Sequence, residues 1–302
     1  MSVTIEKLIE DFELEVLVEG DISKEITIND INRPGLQLAG FYNYFEPKRI
    51  QVMGKAELSF LNDMQVEQRK KRLAKYFSNE MTCVIIARGL EVQDEFIELA
   101  SKHNSLVLRS KLSTTKLISK LTMYLASKLA PETRLHGVLL DVYGIGILVT
   151  GESGIGKSET ALELIKRGHR LVTDDAVDIR EIDGELIGTS PDITMGMLEV
   201  RGIGIIDVSA LYGLSSTIPE KSISFVMHFE HWKDDWDYDR LGTDNEYVEI
   251  LGVKVKKLTL PVRTGRNIAV LIEAAAANYR YSLLSDTSPI EIIERRIDNS
   301  LK

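Results

Sequence analysis

Apolar and polar positions change period repeatedly along the first 130 residues. Phe12 to Val18 alternates apolar with acidic residues and meets Glu19-Gly20, which predicts a strand followed by a turn. Asn32-Arg33-Pro34-Gly35 predicts a loop, and the short alternating run Arg49 to Met53 another strand. From Met64 to Phe77 the period becomes helical, with Val66, Leu73 and Phe77 on one side. Thr82 to Ala87 then predicts a buried strand, Val92 to His103 a helix and Leu106-Val107-Leu108 a strand. Ser113 to Leu129 predicts a longer helix with Leu117, Leu121, Tyr124 and Leu125 on its apolar face. Strands alternating with helices imply an α/β domain on a largely parallel sheet. Ala130-Pro131-Glu132-Thr133 ends the long helix and divides the chain into residues 1–130 and 131–302. Nothing in the first part carries recognisable chemistry, so it reads as a scaffold, a regulatory or partner-binding module, or an assembly surface. Arg69-Lys70-Lys71-Arg72 reads as a solvated helix face, and His103 suits a helix C-terminus.

The second part opens with strands over Arg134 to Leu140 and Val142 to Val149. Further strands follow at Arg170 to Thr173 and Glu185 to Gly188, the last preceded by the hairpin signal Asp183-Gly184. Ile145, Ile147, Leu148 and Val149 run into Gly151-Glu152-Ser153-Gly154-Ile155-Gly156-Lys157-Ser158, which has the form G-x-x-x-x-G-K-[ST] of a phosphate-binding loop. A helix follows from Glu159, apolar at Ala161, Leu162 and Ile165 and stopped at Gly168. Glycines let backbone N–H groups turn inward, and the helix N-terminus adds positive potential, so the stretch suits a polyphosphate. In such a loop Lys157 reaches the outer phosphates and the Ser158 hydroxyl binds Mg²⁺. The chain returns through Arg170 to Thr173 to Asp174-Asp175. Acids at the end of an apolar strand just after such a loop suit metal coordination and proton transfer; the beginning of a turn is the alternative.

Composition narrows the class. A chain of 302 residues with 44% hydrophobic and 27% charged residues is an ordinary globular protein, and the net charge of −9 argues against nucleic acid or an acidic membrane as partner. The single Cys83 lies in the apolar run Cys83 to Ile86, which points to core packing and a reducing, cytoplasmic setting. No signal peptide or membrane span is evident.

Three further stretches carry open readings. In Leu198-Glu199-Val200-Arg201-Gly202-Ile203-Gly204-Ile205-Ile206-Asp207 the glycines suggest backbone packed closely against something, with a binding segment and a bulged core strand equally open. Pro261-Val262-Arg263-Thr264-Gly265-Arg266, before a helix over 267–284, reads either as a second anion site or as solvated surface. The acidic, aromatic run His231 to Asp239 lacks clean metal-ligand spacing and reads as an exposed loop or partner surface, with Arg240 beside it as a useful cation.

Taken together, His136-Gly137, Gly151 to Ser158, Asp174-Asp175, Leu198 to Asp207, Arg240 and Pro261 to Arg266 resemble, in order and separation, the bifunctional HPr kinase/phosphorylase family of low-GC Gram-positive and some other bacteria. The resemblance covers most of residues 134–270. It implies a C-terminal P-loop kinase domain with a fold similar to phosphoenolpyruvate carboxykinase. It also implies a protein-serine kinase that phosphorylates HPr, the small phosphocarrier of the sugar phosphotransferase system, with ATP or pyrophosphate. The same site removes that phosphate by phosphorolysis, consuming inorganic phosphate and releasing pyrophosphate. Homohexamers, carbon catabolite control and responses to fructose 1,6-bisphosphate and phosphate belong to the same implication. So do the roles: Lys157 neutralising charge, Ser158, Asp174 and Glu199 at the metal, Asp175 moving the serine proton, and His136 near the transferred group, hydrogen-bonded to a phosphate oxygen or to Asp175. Arg240 and residues 261–266 would position phosphate, the latter mainly for dephosphorylation. A small-molecule kinase sharing the nucleotide site and a nucleotide-gated binding module are the rival readings; the acidic pair and Glu199 favour chemistry over a pure sensor.

Overall fold

In the computed structural model, which describes residues 2–232, 246–263, 265–285 and 289–300, the chain forms two compact units, Met1–Ala130 and Pro131–Lys302. Both are α/β.

The first unit opens with β1 (Val3–Thr4), α1 (Ile5–Phe12), β2 (Glu15–Val18), β3 (Glu25–Ile26), β4 (Ile31–Asn32) and α2 (Gly35–Leu38). It continues with β5 (Ile50–Met53), α3 (Lys55–Asn62), α4 (Val66–Phe77), β6 (Val84–Ile86), α5 (Asp94–Lys102), β7 (Val107–Arg109) and α6 (Thr114–Leu129). Five strands form a sheet in the order β2-β7-β6-β5-β4, parallel except for the edge strand β2. Side chains alternate across it. Val52, Ile85 and Leu108 join Leu117, Leu121 and Leu125 of α6 on one face, whereas Met53, Ile86 and Val107 meet Leu73, Phe77 and Phe96 on the other. Cys83 is fully inside, and burial pushes its thiol up to about 12.

One expectation fails here and another holds in part. The strand from Phe12 does not exist as such: Ile5 and Leu8 bury one face of a helix that Thr4 caps through Lys7 N. Phe12 closes that helix, Glu13 turns with φ 49°, and the strand begins only at Glu15. The basic run is a solvated face only in part, with Lys70 and Lys71 exposed. Arg69 ion-pairs with Glu95, and the Arg72 guanidinium lies against Gly40.

The second unit begins with β8 (Glu132–His136), β9 (Val138–Val142), β10 (Ile145–Gly151), α7 (Lys157–Lys166), β11 (Arg170–Thr173), β12 (Ala176–Ile182) and β13 (Glu185–Thr189). Then come β14 (Met197–Val200), β15 (Gly204–Asp207), α8 (Val208–Tyr212), β16 (Glu220–Ser222), β17 (Phe225–His231), β18 (Glu246–Ile250), β19 (Val253–Val262), α9 (Ile268–Leu284) and α10 (Pro289–Ser300). Six strands pair in the order β11-β9-β10-β17-β19-β18, and β16-β13-β12-β8 form a second sheet. Alternation again fills both faces of the larger sheet. Leu140, Ile147, Val149 and Phe225 pack with Ala161, Leu164 and Ile272 of the helices, while Leu139, Leu148 and Val226 pack with Val177, Ile179 and Leu186 of the smaller sheet.

The strand boundaries expected between 134 and 149 fall elsewhere. The first segment breaks at Gly137, where any Cβ would stand 2.6 Å from the Val149 carbonyl oxygen. That break lets the chain leave one sheet for the other. Tyr143 and Gly144, at φ 55° and 86°, make a tight reverse turn between β9 and β10, so Val142 ends a strand instead of starting one. The Asp141 carboxylate below this turn is buried, accepts from Gly144 N at 2.8 Å, and pairs with Arg170 and Lys221. Among the described residues, no helix is long and apolar enough to cross a membrane.

Gly146 offers a test of this sheet-on-strand packing, because a Cβ there would enter the Ser222 carbonyl. Gly146→Ala is expected to lower unfolding stability by about 2 kcal/mol, the scale of an overpacked core. Gly184→Ala, at φ 86° in an open turn, is expected to lose less. Urea unfolding midpoints measure both, and an equal or reversed order would remove the steric argument.

Candidate active site

β10 delivers the chain into the loop from Gly151 to Gly156, and α7 leaves it at Lys157. Gly151, Gly154 and Gly156 hold φ of 142°, 85° and 104°, where a side chain is strained, while Ile155 anchors the loop in the helix-side core. Lys157 is only 7% exposed and donates from Nζ to the Gly151 and Glu152 carbonyl oxygens, both at 3.0 Å. Its ammonium thus sits in the mouth of its own loop.

Asp174 follows β11 and is buried. The Ser158 hydroxyl donates to its two carboxylate oxygens at 3.0 and 3.1 Å, and Glu199 N donates to Oδ2 at 3.1 Å. Burial raises the Asp174 pKa; the donors from Glu199, Ser158 and the Asp175 backbone pull it down, and the neighbouring Asp175 charge adds to the rise. Asp175 is different. Its φ is 69°, its side chain is 70% exposed, and its Oδ1 lies 2.9 Å from His136 Nδ1. The β8–β12 ladder sets this contact by pairing His136 with Ala176, and Gly137 N donates to Asp175 O at 3.0 Å.

The stretch from Leu198 to Asp207 is a hairpin, β14 paired with β15. Leu198 and Val200 are buried and Ile206 packs beside them. Arg201 reaches back, donating to Ser153 Oγ at 3.2 Å and lying against Gly154. The expectation of close backbone packing at the glycines fails: a Cβ at Gly202 or Gly204 would meet nothing within 4 Å. Their φ values of 83° and 103° explain them as turn residues. Asp207 caps α8 by accepting from Ala210 N at 2.9 Å.

One cleft therefore gathers His136, Ser153, Gly154, Gly156, Lys157, Ser158, Asp174, Asp175, Glu199 and Arg201. Glu159 lines it too. The sequence pattern marks Glu159 only as a helix start, although an acid next to Lys157-Ser158 in the first helical turn is a visible signal. Glu152 points away; its carboxylate is 3.8 Å from His231 Nε2. Among the described residues, none of 261–263, 265 and 266 lines the cleft. β10, β17 and β19 run parallel, so the loop, His231 and Val262 all stand at the C-terminal edge of the sheet, with β10 and β19 about 10 Å apart. There the Arg263 guanidinium lies 4.7 Å from the Trp232 ring centre, Gly265 takes φ 84°, and Arg266 donates to the Pro261 carbonyl at 2.9 Å. Arg240, Thr264 and residues 233–239 of the acidic run lie outside the described residues.

The family model described as HPr Serine kinase C-terminal domain matches residues 127–297, and the HPr Serine kinase N terminus model matches residues 3–125. The chain belongs to the HPr serine kinase family. A relative from Clostridium botulinum (strain Alaska E43 / Type E3), named HPr kinase/phosphorylase, is 72% identical over 297 residues, 98% of each chain. One of the same name from Clostridium perfringens (strain SM101 / Type A) is 69% identical over all of this chain and 98% of its own. A solved structure titled as the Hpr(Ser) kinase/phosphatase from Coxiella burnetii is 34% identical, covers 51% of this chain and 99% of its own, with a TM-score of 0.47.

The chemistry of this cleft suits an anion and a hard cation. Three glycines and a helix N-terminus favour an anion, and a buried ammonium stands at its mouth. A hydroxyl and a buried carboxylate lie together beside it. Among the described residues, no three His, Cys, Asp or Glu side chains form a group that could hold a metal ion by themselves. The donor set nevertheless fits Mg²⁺, which takes one or two protein oxygens and fills its shell with water and phosphate oxygens.

The raised pKa of Asp174 gives a sign. The native state binds this proton more tightly than the unfolded chain, so the carboxylate's charge subtracts stability as pH rises from the ordinary aspartate value of 3.8 through the raised folded value. In metal-free buffer, Asp174→Asn is expected to equal the wild type below that window and to unfold at a higher urea concentration at pH 7. A lower midpoint at pH 7 would mean that the lost hydrogen bonds outweigh the relieved charge.

Proposed function

We propose that this chain is a bifunctional protein-serine kinase and phosphorylase that transfers phosphate from ATP to a serine of HPr and removes it by phosphorolysis. The observation that carries the reading is the convergence in one cleft of Lys157, the Ser158–Asp174 pair and the Asp175–His136 pair. Full-length likeness to proteins named HPr kinase/phosphorylase supports the choice of substrate.

In this mechanism the loop from Gly151 to Gly156 binds the triphosphate through backbone N–H groups, and Lys157 exchanges its two carbonyl partners for phosphate oxygens. Ser158, Asp174 and Glu199 would hold Mg²⁺, which would supply charge neutralisation at the phosphates. Asp175 accepts the serine proton as the serine oxygen bonds to the γ-phosphorus and the bond to the bridging oxygen breaks, releasing ADP. His136 fixes Oδ1 of that carboxylate, leaving Oδ2 to take the proton. In the reverse direction inorganic phosphate attacks the phosphoserine phosphorus, the bond to the serine oxygen breaks, and protonated Asp175 returns its proton to serine. Pyrophosphate leaves. One residue serves both directions because a general base in one is a general acid in the other.

Arg263, braced by Trp232, and Arg266 position the attacking phosphate, with Arg240 on the same task. A homohexameric, cytoplasmic enzyme of carbon catabolite control, tuned by fructose 1,6-bisphosphate and phosphate and with pyrophosphate as a second donor, completes the proposal.

The test incubates the purified chain with HPr and ATP-Mg²⁺, then adds excess phosphate and assays pyrophosphate. Phosphoserine should appear and then decline as pyrophosphate accumulates. Lys157→Ala is expected to slow both directions by about 10²–10³-fold, as removal of a charge-stabilising donor does. Asp175→Asn should slow both by about 10²–10⁴-fold through loss of proton transfer. Arg263→Ala should hurt phosphorolysis more than phosphorylation, and equal losses would refute that division of labour.

A further inference from the structure

Hairpin β14–β15 has one face with a folding role and one without. Leu198, Val200 and Ile206 tie the first to the helix-side core. On the other side Ile203 and Ile205 are each 73% exposed, and among the described residues neither belongs to an apolar cluster. The pairing register sets Ile205 directly across from Glu199. Residues opposite in an antiparallel ladder point to one side with Cβ atoms about 4.5–5.5 Å apart. Glu199 and Arg201 line the catalytic cleft, so Ile205 stands on its rim, and Ile203 sits on the turn just past Arg201. That rim is firmly placed: its buried face is packed, Arg201 is bonded to Ser153, and Ile203 N donates to Val200 O at 3.0 Å across the turn. Turns favour Gly, Asn, Asp and Ser. Two water-facing β-branched residues beside a reaction centre therefore have no account in folding, and apolar surface of this kind marks a place where another molecule sits.

We propose that Ile203 and Ile205 form an apolar lip that seats the segment of the protein substrate flanking its acceptor serine, making them specificity-determining residues for a polypeptide over a small hydroxyl compound. The inference rests on the kinase reading above. The chemistry of the two sides of the cleft decides the occupant. Phosphates take the side built from Lys157, Ser158 and the loop N–H groups and gain nothing from isoleucine. The acceptor hydroxyl must come within about 3 Å of Asp175 to give up its proton. A serine within a chain brings its neighbours to the rim, where apolar ones are desolvated against Ile203 and Ile205.

The test uses the full-length protein carrying Ile203→Ser and Ile205→Ser, singly and together, with HPr varied at saturating ATP-Mg²⁺. The double variant is expected to raise KM for HPr about tenfold or more, as loss of apolar anchors does at protein interfaces. Its kcat and nucleotide Kd should stay within about twofold of wild type, and Ile205→Leu should restore most of the loss in the single variant. Light scattering should give an unchanged mass and circular dichroism an unchanged fold. An unchanged KM in a variant of an active wild type overturns the lip alone. A fall in mass overturns it by showing contact between copies of this chain, and a loss confined to kcat and nucleotide affinity overturns it by assigning the residues to the nucleotide side. Absence of any transfer to HPr by the wild type would remove the kinase reading, and the lip with it.

Discussion

The site hangs on one buried carboxylate. Asp174 is reached by three parts of the chain: β11, which delivers it; α7, whose Ser158 hydroxyl donates to it; and β14, whose Glu199 N–H does the same. Burial makes the anion unfavourable and these donors only partly offset that, which is the condition in which a nearby cation gains most. The same bonds fix the distance between phosphate loop and hairpin. A shift in any one of the three elements would loosen the other two.

The larger sheet makes that convergence reproducible. Both of its faces are covered, one by α7 and α9 and the other by the smaller sheet, so its strands cannot slide without exposing one apolar set or the other. β10, β17 and β19 then present their C-terminal ends at one edge. That edge of an open α/β sheet is where ligands collect, because loops leave it and helix N-termini face it. Arg263 and Trp232 share the edge without lining the cleft.

What the sequence disclosed follows from which interactions are local. The phosphate loop is local: glycines at fixed offsets, a strand before and a helix after, all within 22 residues. Cys83 and the long helix ending at Leu129 were equally legible, since apolar periodicity reports burial directly. α1 and α3 were not. Each spans 8 residues, too few for periodicity to separate helix from alternating strand. The break at Gly137 was hidden because its cause is the Val149 carbonyl on another strand. The glycines of the hairpin misled for the opposite reason: tight packing and positive φ both select glycine, and only coordinates tell them apart. The pairing of His136 with Asp175 depends on the register of β8 against β12, which no spacing along the chain encodes.

Asp174 and Asp175 are chemically identical neighbours that end in opposite environments, and backbone geometry is what separates them. In a continuing strand adjacent side chains already point to opposite faces. Here the strand also stops, and Asp175 enters the left-handed region at φ 69°, where short polar residues are tolerated and bulky ones are strained. The turn swings Asp175 outward to His136 and leaves Asp174 facing Ser158. Burial raises the proton affinity of Asp174, but its oxygens are already engaged by Ser158 and Glu199 and closed to an incoming alcohol. An open acid with one oxygen steadied by an imidazole is better placed to take the proton, because the alcohol can approach it from solvent. One residue of unusual φ thus divides an acidic pair into a buried member bonded to Ser158 and an open member beside His136, the division that the proposed two-way mechanism uses.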